Sequence, residues 1–162
     1  MEALDKSIFA LTLLAALGSG VIAGVFFAFS TFVMKALARL PPGEGIAAMQ
    51  SINVTVLNPW FLGFFFGTAV ACVVALFFAL MHWREPGAVY LLVGGALYLV
   101  GTFLVTIVFN VPKNQALASV APTGHEGANL WAGYVTSWTT WNHVRTAAAL
   151  VAAASFSIAL VH

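Results

Sequence analysis

Four long apolar stretches alternate with shorter polar segments along the chain. They cover residues 8–34, 60–82, 88–110 and 138–161. A helix needs about 20 consecutive apolar residues to cross the hydrocarbon core of a bilayer, and each stretch meets this length. The pattern therefore predicts an all-α fold, a bundle of four transmembrane helices.

Proline and glycine mark the ends of these stretches. Residues 41–43 end the first, residues 85–87 form a tight turn after the second, and Pro112 is expected to stop the third. With four crossings, the two long loops at residues 35–59 and 111–137 lie on the same side of the membrane. We call this side the loop face.

The first long loop contains a short amphipathic segment at residues 45–53. Its spacing predicts a helix on the membrane surface with Ile46, Met49, Ile52 and Asn53 turned toward the bundle. Such a helix could act as a lid over the loop face.

The composition agrees with a membrane protein. Of the 162 residues, 62% are hydrophobic and 7% are charged, whereas a soluble domain carries roughly 25% charged residues. We expect a single membrane domain over residues 1–162, multi-pass in a plasma or inner membrane, with the lipid bilayer as its surroundings. A formal net charge of +1 gives no basic surface for nucleic acid.

Several glycines have the spacing that lets membrane helices approach closely. Gly20 and Gly24 lie in the first stretch, Gly63 and Gly67 lie in the second, and Gly94 and Gly101 lie two turns apart in the third. Small residues four positions apart often form helix contacts in lipid. We expect these glycines to support packing of the bundle.

The fourth stretch opens with polar and aromatic residues on one helical face. Trp138, Trp141, Asn142 and Arg145 follow i, i+3, i+4, i+7 spacing. At about 1.5 Å of rise per residue, Arg145 lies roughly 10 Å inward from Trp138. A charge at that depth costs about 2.5 to 3.5 kcal/mol on insertion scales, so it normally faces the bundle and finds a partner.

The partner of Arg145 is open at this point. No predicted span carries an acidic residue, and the carboxylates on the loop face are Glu44 and Glu126. The guanidinium therefore extends to the interface, pairs with one of these glutamates, or binds carbonyls, amides or an anionic ligand.

The third stretch carries a matching polar track. Tyr98, Thr102, Thr106 and Asn110 follow one another at i+4 steps down to the loop face. The threonine hydroxyls can instead bond their own helix, and Asn110 can cap the helix end.

Metal or haem binding is not expected. No two histidines show the i, i+4 spacing of paired ligands, and only His143 is predicted on a helix near Arg145.

Several segments together resemble the anthrone oxygenase-like family of small four-helix membrane proteins. They are residues 24–30 with Met34, residues 49–53, residues 58–59, residues 110–114 and residues 138–146. The resemblance implies oxidation of an anthrone to an anthraquinone with O2, without a recognised flavin or metal cofactor. It also implies that Asn53, Asn110, Asn114, Asn142 and Arg145 line the site.

The resulting hypothesis is a cofactor-independent oxygenase that binds a small planar phenolic or amphiphilic anion. Arg145 would stabilise the substrate anion, and His143, or after it Lys113, would act as the base. The candidate catalytic residues are Arg145, Asn142, His143 and Lys113. The candidate substrate-binding residues are Asn53, Asn58, Asn110, Asn114, Trp138, Trp141, Phe26, Ser30 and Met49. The aromatic residues among them serve equally well as ordinary packing.

Two alternatives stay open at the level of sequence. The same cleft could belong to a non-catalytic binding or transport protein for an amphiphilic anion, or the chain could be a structural membrane subunit. A homo-oligomer is compatible with each of these functions.

Overall fold

The computed structural model describes residues 2–162, with side chains from Lys6 onward. The described residues form five helices and no strand, which confirms the all-α prediction. Helix α1 (Glu2–Ala28) continues through a π-helical segment (Phe29–Val33) to Met34–Leu37, and α2 is Pro42–Thr55. Helix α3 is Pro59–Met81, and α4 (Ala88–Ala96) continues through π-helical segments Leu97–Leu104 and Thr106–Asn110 to Val111–Ala118. Helix α5 is His125–Ala159.

Within the described part of the chain, three helices are long and apolar enough to cross a membrane. These spans are Lys6–Leu37, Pro59–Met81 and Ala88–Ala118, and they mark the chain as a membrane protein. Helix α5 has 35 residues and is long enough to be a fourth, but Asn142 and Arg145 interrupt its apolar stretch. Composition alone therefore identifies three spans where the pattern predicted four.

Helix α5 carries a continuous buried stripe along its whole length. The buried positions recur every three or four residues, as expected for one face of a helix: they include Gly127, Trp131, Tyr134, Trp138, Asn142, Arg145, Ala149, Ala152 and Phe156. The first half of this stripe packs with α2 and the end of α1, and the second half packs with α1, α3 and α4.

The connections between helices are shorter than predicted from the sequence. The third loop was expected over residues 111–137, but α4 and α5 leave only residues 119–124 between them. The error arose because most of the expected loop is helical. Trp131 and Tyr134 lie on the buried stripe of α5 and pack against Ile46 and Met49 of α2. The tight turn after α3 is present, and Gly87 supplies its positive φ of 85°.

Helix α4 continues through Pro112, so the prediction that this proline stops it was wrong. A proline removes one backbone donor and crowds the carbonyl four residues before it. The preceding segment Thr106–Asn110 is π-helical, with wider turns that accommodate such a residue. As a result Asn110 lies inside a continuous helix and does not cap its end.

The predicted glycine contacts form in the third stretch but not in the first two. A Cβ atom added at Gly20, Gly24, Gly63 or Gly67 would meet no atom within 4 Å. At Gly94 an added Cβ would lie 3.0 Å from the ring of Phe156, and at Gly101 it would lie 2.5 Å from the Cβ of Ala148. Helices α4 and α5 therefore come together directly beside Arg145.

Candidate functional site

A cavity of about 640 Å³ lies among all five helices. Its walls are mainly apolar and include aromatic rings from three helices: Phe26 and Phe29 from α1, Phe61, Phe65 and Phe66 from α3, and Trp138 from α5. Helix α2 covers one side of it, where Met49, Ile52 and Asn53 line the space. A site of this size and lining suits a drug-sized or smaller aromatic ligand.

Arg145 lines the cavity although it is almost fully buried, with 3% of its surface exposed. Its Nη2 donates to Oδ1 of Asn142 at 2.6 Å, and its Nη1 donates to Oγ1 of Thr106 at 3.2 Å. The guanidinium carbon lies 4.1 Å from the ring centre of Phe26 and 5.0 Å from that of Trp138. Two aromatic faces therefore help to stabilise the charge.

No carboxylate neutralises this charge among the residues whose side chains the structure describes. Glu44 and Glu126 are both exposed, and the partners of Arg145 are neutral hydroxyl, amide and aromatic groups. The Nε atom is buried and has no hydrogen-bond partner. In this structure the Arg145 guanidinium neither extends to the surface nor pairs with a glutamate.

Asn142 holds the guanidinium in place through a fixed amide orientation. Its Nδ2 donates to the backbone carbonyl of Phe26 and to Oγ of Ser30, each at 2.7 Å. Because a carbonyl can only accept, the amide nitrogen must face α1, and Oδ1 must face Arg145. Thr146 extends the network, since its hydroxyl lies 3.0 Å from Ser30 and donates to the Asn142 carbonyl at 2.8 Å.

The π-helical segments of α1 and α4 carry the side chains that bond to α5. Ser30 lies in the segment of α1, and Thr102, Thr106 and Asn110 lie in the two segments of α4. Thr102 donates to the Arg145 carbonyl at 3.3 Å, and Asn110 donates to the Trp138 carbonyl at 3.2 Å. Such segments are frequent at functional sites because the extra residue re-aims side chains.

Asn114 and Asn53 present amide donors near the outer part of the cavity. Oδ1 of Asn114 accepts from the Tyr134 hydroxyl at 2.9 Å and from Nε1 of Trp138 at 2.8 Å. Burial raises the pKa of Tyr134 above its usual value, so the phenol stays protonated and keeps donating. With its oxygen occupied in this way, the Asn114 amide has its N–H groups left to donate. Nδ2 of Asn53 is buried beside Tyr134 and makes no hydrogen bond.

The structure brings most of the sequence-predicted site residues to this cavity. Those that line it are Arg145, Asn53, Asn114, Trp138, Phe26 and Met49. Those that are buried just behind its wall are Asn142, Ser30 and Asn110. One of the latter, Asn110, keeps a buried Oδ1 without a partner.

The four remaining candidates lie elsewhere. His143 is exposed and Lys113 is half-buried, and neither lines the cavity, so their positions do not support a role as its base. Asn58 caps α3 by accepting from backbone N–H groups of its first turn. Trp141 stacks on Phe109 with ring centres 3.5 Å apart.

Sequence reasoning missed several residues that shape the cavity. Phe61 and Phe65 lie in an apolar run, and the sequence there does not distinguish rings that face the cavity from rings that face lipid. Gln50 donates to the carbonyls of Leu117 and Val120 at 2.8 and 3.1 Å, which fastens α2 to the end of α4. The sequence signal for this contact was a polar side chain, Gln50, within the amphipathic segment.

The chemistry available in the cavity is stabilisation of negative charge. Arg145 is the one titratable side chain among the described residues that line it. No group of three or more His, Cys, Asp or Glu side chains gathers anywhere in the described part of the chain. The arrangement can hold a flat ring between aromatic walls and place an oxyanion against a guanidinium.

Comparison with known proteins gives one match. The family model described as anthrone oxygenase matches residues 60–155, which include α3, α4 and most of α5. The matched region carries Thr106, Asn114, Trp138, Asn142 and Arg145. Neither a curated protein sequence nor a solved structure matches the chain significantly. The family match covers more than half of the chain, which therefore belongs to the anthrone oxygenase family.

Proposed function

We propose that this protein is a membrane oxygenase that oxidises a planar phenolic or anthrone-type substrate with O2. The observation that carries the proposal is the buried, unneutralised guanidinium of Arg145 in the wall of an aromatic-lined cavity. Membership of the anthrone oxygenase family supports the same reaction class.

The arrangement in the membrane is part of the proposal. Helices α1, α3 and α4 cross the bilayer, and the second half of α5 crosses as a fourth span of one membrane domain. Support comes from the apolar sequence after Arg145 and from its packing against the other three helices. Arg145 then lies where α5 enters the hydrocarbon, with its charge turned into the bundle.

The reaction balances without an added cofactor. An anthrone and one O2 give the anthraquinone and one water, and the ring carbon opposite the carbonyl is oxidised while O2 is reduced. The substrate first loses a proton to water to form an electron-rich phenolate, which forms a C–O bond with O2. The resulting peroxide anion takes up a proton to give a hydroperoxide, and loss of water from the hydroperoxide leaves the second carbonyl. Arg145 stabilises the phenolate, and the rings of Phe26 and Trp138 keep it flat.

Oxygen consumption by the purified full-length protein with anthrone tests this function, with quinone absorbance as a second readout. Arg145→Gln keeps much of the side-chain volume and removes the charge, and we expect the rate to fall by about 10² to 10³. Lys35→Gln is the matched control, because Lys35 is an exposed cation outside the cavity. No oxygen uptake by the wild-type protein would refute the oxygenase, and an unchanged rate in Arg145→Gln would refute the assigned site.

A second candidate is a binding or transport protein for an amphiphilic anion. It is favoured by the lack of a carboxylate, histidine or lysine among the described residues that line the cavity. Native mass spectrometry of the protein extracted in a mild nonionic detergent distinguishes the two. An intact co-purifying anion together with no oxygen uptake supports binding or transport.

A further inference from the structure

We infer that the cavity takes up its ligand as a preformed aromatic oxyanion, with a second acceptor oxygen, and that the protein supplies no base to generate it. The inference rests on the proposed function, since it specifies the ionisation state in which that substrate binds.

The polar groups around the cavity are mainly donors. The guanidinium of Arg145 in its wall carries an uncompensated positive charge. The N–H groups of Asn114 are left to donate, because two donors already occupy its oxygen. Nε of Arg145 and Nδ2 of Asn53 lie beneath the surface without partners. A ligand with acceptor oxygens, one of them charged, complements the guanidinium and the N–H groups of Asn114.

No side chain that contacts Arg145 can act as a base near neutral pH. Tyr134 is the titratable neighbour among the described residues, and it donates to Asn114. The groups that contact the guanidinium are Phe26 of α1, Thr106 of α4, and Trp138 and Asn142 of α5. The side chains that α2 and α3 contribute to the cavity, such as Asn53 and Phe65, do not titrate either. The charged Lys35 and Glu44 are exposed, and Lys113 does not line the cavity.

The donors and the absence of a base around the cavity favour the same ligand class. A neutral phenol would bring its own donor to a site that already has an excess of donors, and no group there would accept the proton. A phenolate brings a negative charge to an uncompensated cation and acceptors to the unpaired amides. The cavity therefore selects the ionised form from solution, and the pH dependence follows the acidity of the ligand.

A binding experiment with probes that O2 does not oxidise tests this directly. The probes are 2-hydroxyanthraquinone, a more acidic ring-nitrated analogue, and 2-methoxyanthraquinone, which cannot ionise. Their binding to the detergent-solubilised full chain is followed from pH 5 to 10 by visible absorbance, in which the phenolate has its own band. The same titration in protein-free micelles gives the reference pKa of each probe.

We expect the bound hydroxy probe to show the phenolate band at pH values where the free probe is neutral. Its apparent pKa should fall by at least about one unit, a tenfold preference for the anion. The midpoint should move with the acidity of the probe, and the methyl ether should bind about tenfold more weakly or worse. Equal midpoints for the two acidic probes, or equal affinity for the ether, would overturn the inference.

Variants then assign the effect to Arg145. Arg145→Gln should abolish the preference for the ionised probe, and Lys35→Gln should retain it. If Arg145→Gln does not fold, the wild-type probe series still decides. Anion-selective binding without oxygen uptake would refute the oxygenase and leave this inference standing. Oxygen uptake together with a titration midpoint that does not change from probe to probe would refute this inference and leave the oxygenase standing.

Discussion

The two halves of the helix bundle differ in how closely their side chains pack. In the half that contains Cys72 and Phe156, side chains pack closely, and Phe156 contacts Gly94 so tightly that an added Cβ there would lie 3.0 Å from its ring. Tyr98, at the border of the two halves, donates its hydroxyl to the Phe65 carbonyl at 3.0 Å. In the other half, large aromatic residues surround the cavity, and two of its lining residues keep unpaired donors.

Because of this difference, residues at one end of a single helix should contribute mainly to stability and residues further along it mainly to ligand binding. Helix α5 contributes Phe156 to the closed half and Arg145 to the cavity half, 11 positions earlier. A substitution in the closed half should change the free energy of unfolding, whereas one beside the cavity should change ligand binding more than stability.

The largest expected effect on stability is for Phe156→Ala. Removal of a fully buried ring leaves a void between α4 and α5 and should destabilise the protein by about 3 to 5 kcal/mol. Thermal unfolding in detergent measures the loss. Affinity for a hydroxyanthraquinone probe should stay within twofold, and a large change in it would mean that the two halves are coupled.

A smaller loss of stability is expected for Asn142→Leu, which should also lower oxygen uptake. It removes the hydrogen bond to the Phe26 carbonyl and leaves Nη2 of Arg145 without a partner, and a buried group left unsatisfied costs about 1 to 3 kcal/mol. Oxygen uptake should also fall, because the guanidinium is no longer held. Thr139→Val is the control, since the Thr139 hydroxyl has no hydrogen bond to lose. Equal melting temperatures of the two variants would contradict this role of Asn142.

Thr106→Asp should change binding with little effect on stability. The new carboxylate would lie against Nη1 of Arg145 and neutralise it, so affinity for an aromatic oxyanion should fall about tenfold, or about 1.4 kcal/mol. Isothermal titration with the probe measures this change. Thr106→Val removes the hydroxyl without adding charge and should have the weaker effect; the opposite order would refute charge as the cause.

The smallest effect is expected outside both halves, at Gly63. A methyl group there meets no atom within 4 Å, and alanine is better than glycine in a helix by about 0.5 to 1 kcal/mol. Gly63→Ala should therefore unfold at the same temperature or slightly higher. A clear loss of stability would mean that a second copy of the chain packs on this face.

The long helices and the burial of Arg145 could be predicted from sequence because both follow from simple rules. Apolar length sets the helices, and a charge within an apolar helix normally faces the bundle. Asn142 and Trp138 were identified as its neighbours by helical spacing, and Phe26 was among the predicted substrate-binding residues. Their contribution to catalysis is still a prediction.

The π-helical segments could not be predicted, and the error at Pro112 comes from one of them. No residue pattern marks a wider helical turn, so Pro112 was interpreted as a helix end. The helical first half of α5 was missed for a different reason. Its buried residues Trp131 and Tyr134 are surrounded by polar sequence. The segment was therefore interpreted as a loop, although these residues have helical spacing.

The bare guanidinium of Arg145 also has a consequence for how the protein is purified. Fatty acids, bile salts and sulfonate detergents each combine an apolar body with an anionic head, so they meet the same requirements as the substrate. Extraction with such amphiphiles would fill the cavity and inhibit the protein, whereas nonionic detergents would leave it open. An apparent lack of activity is therefore informative only after competing anions have been washed away.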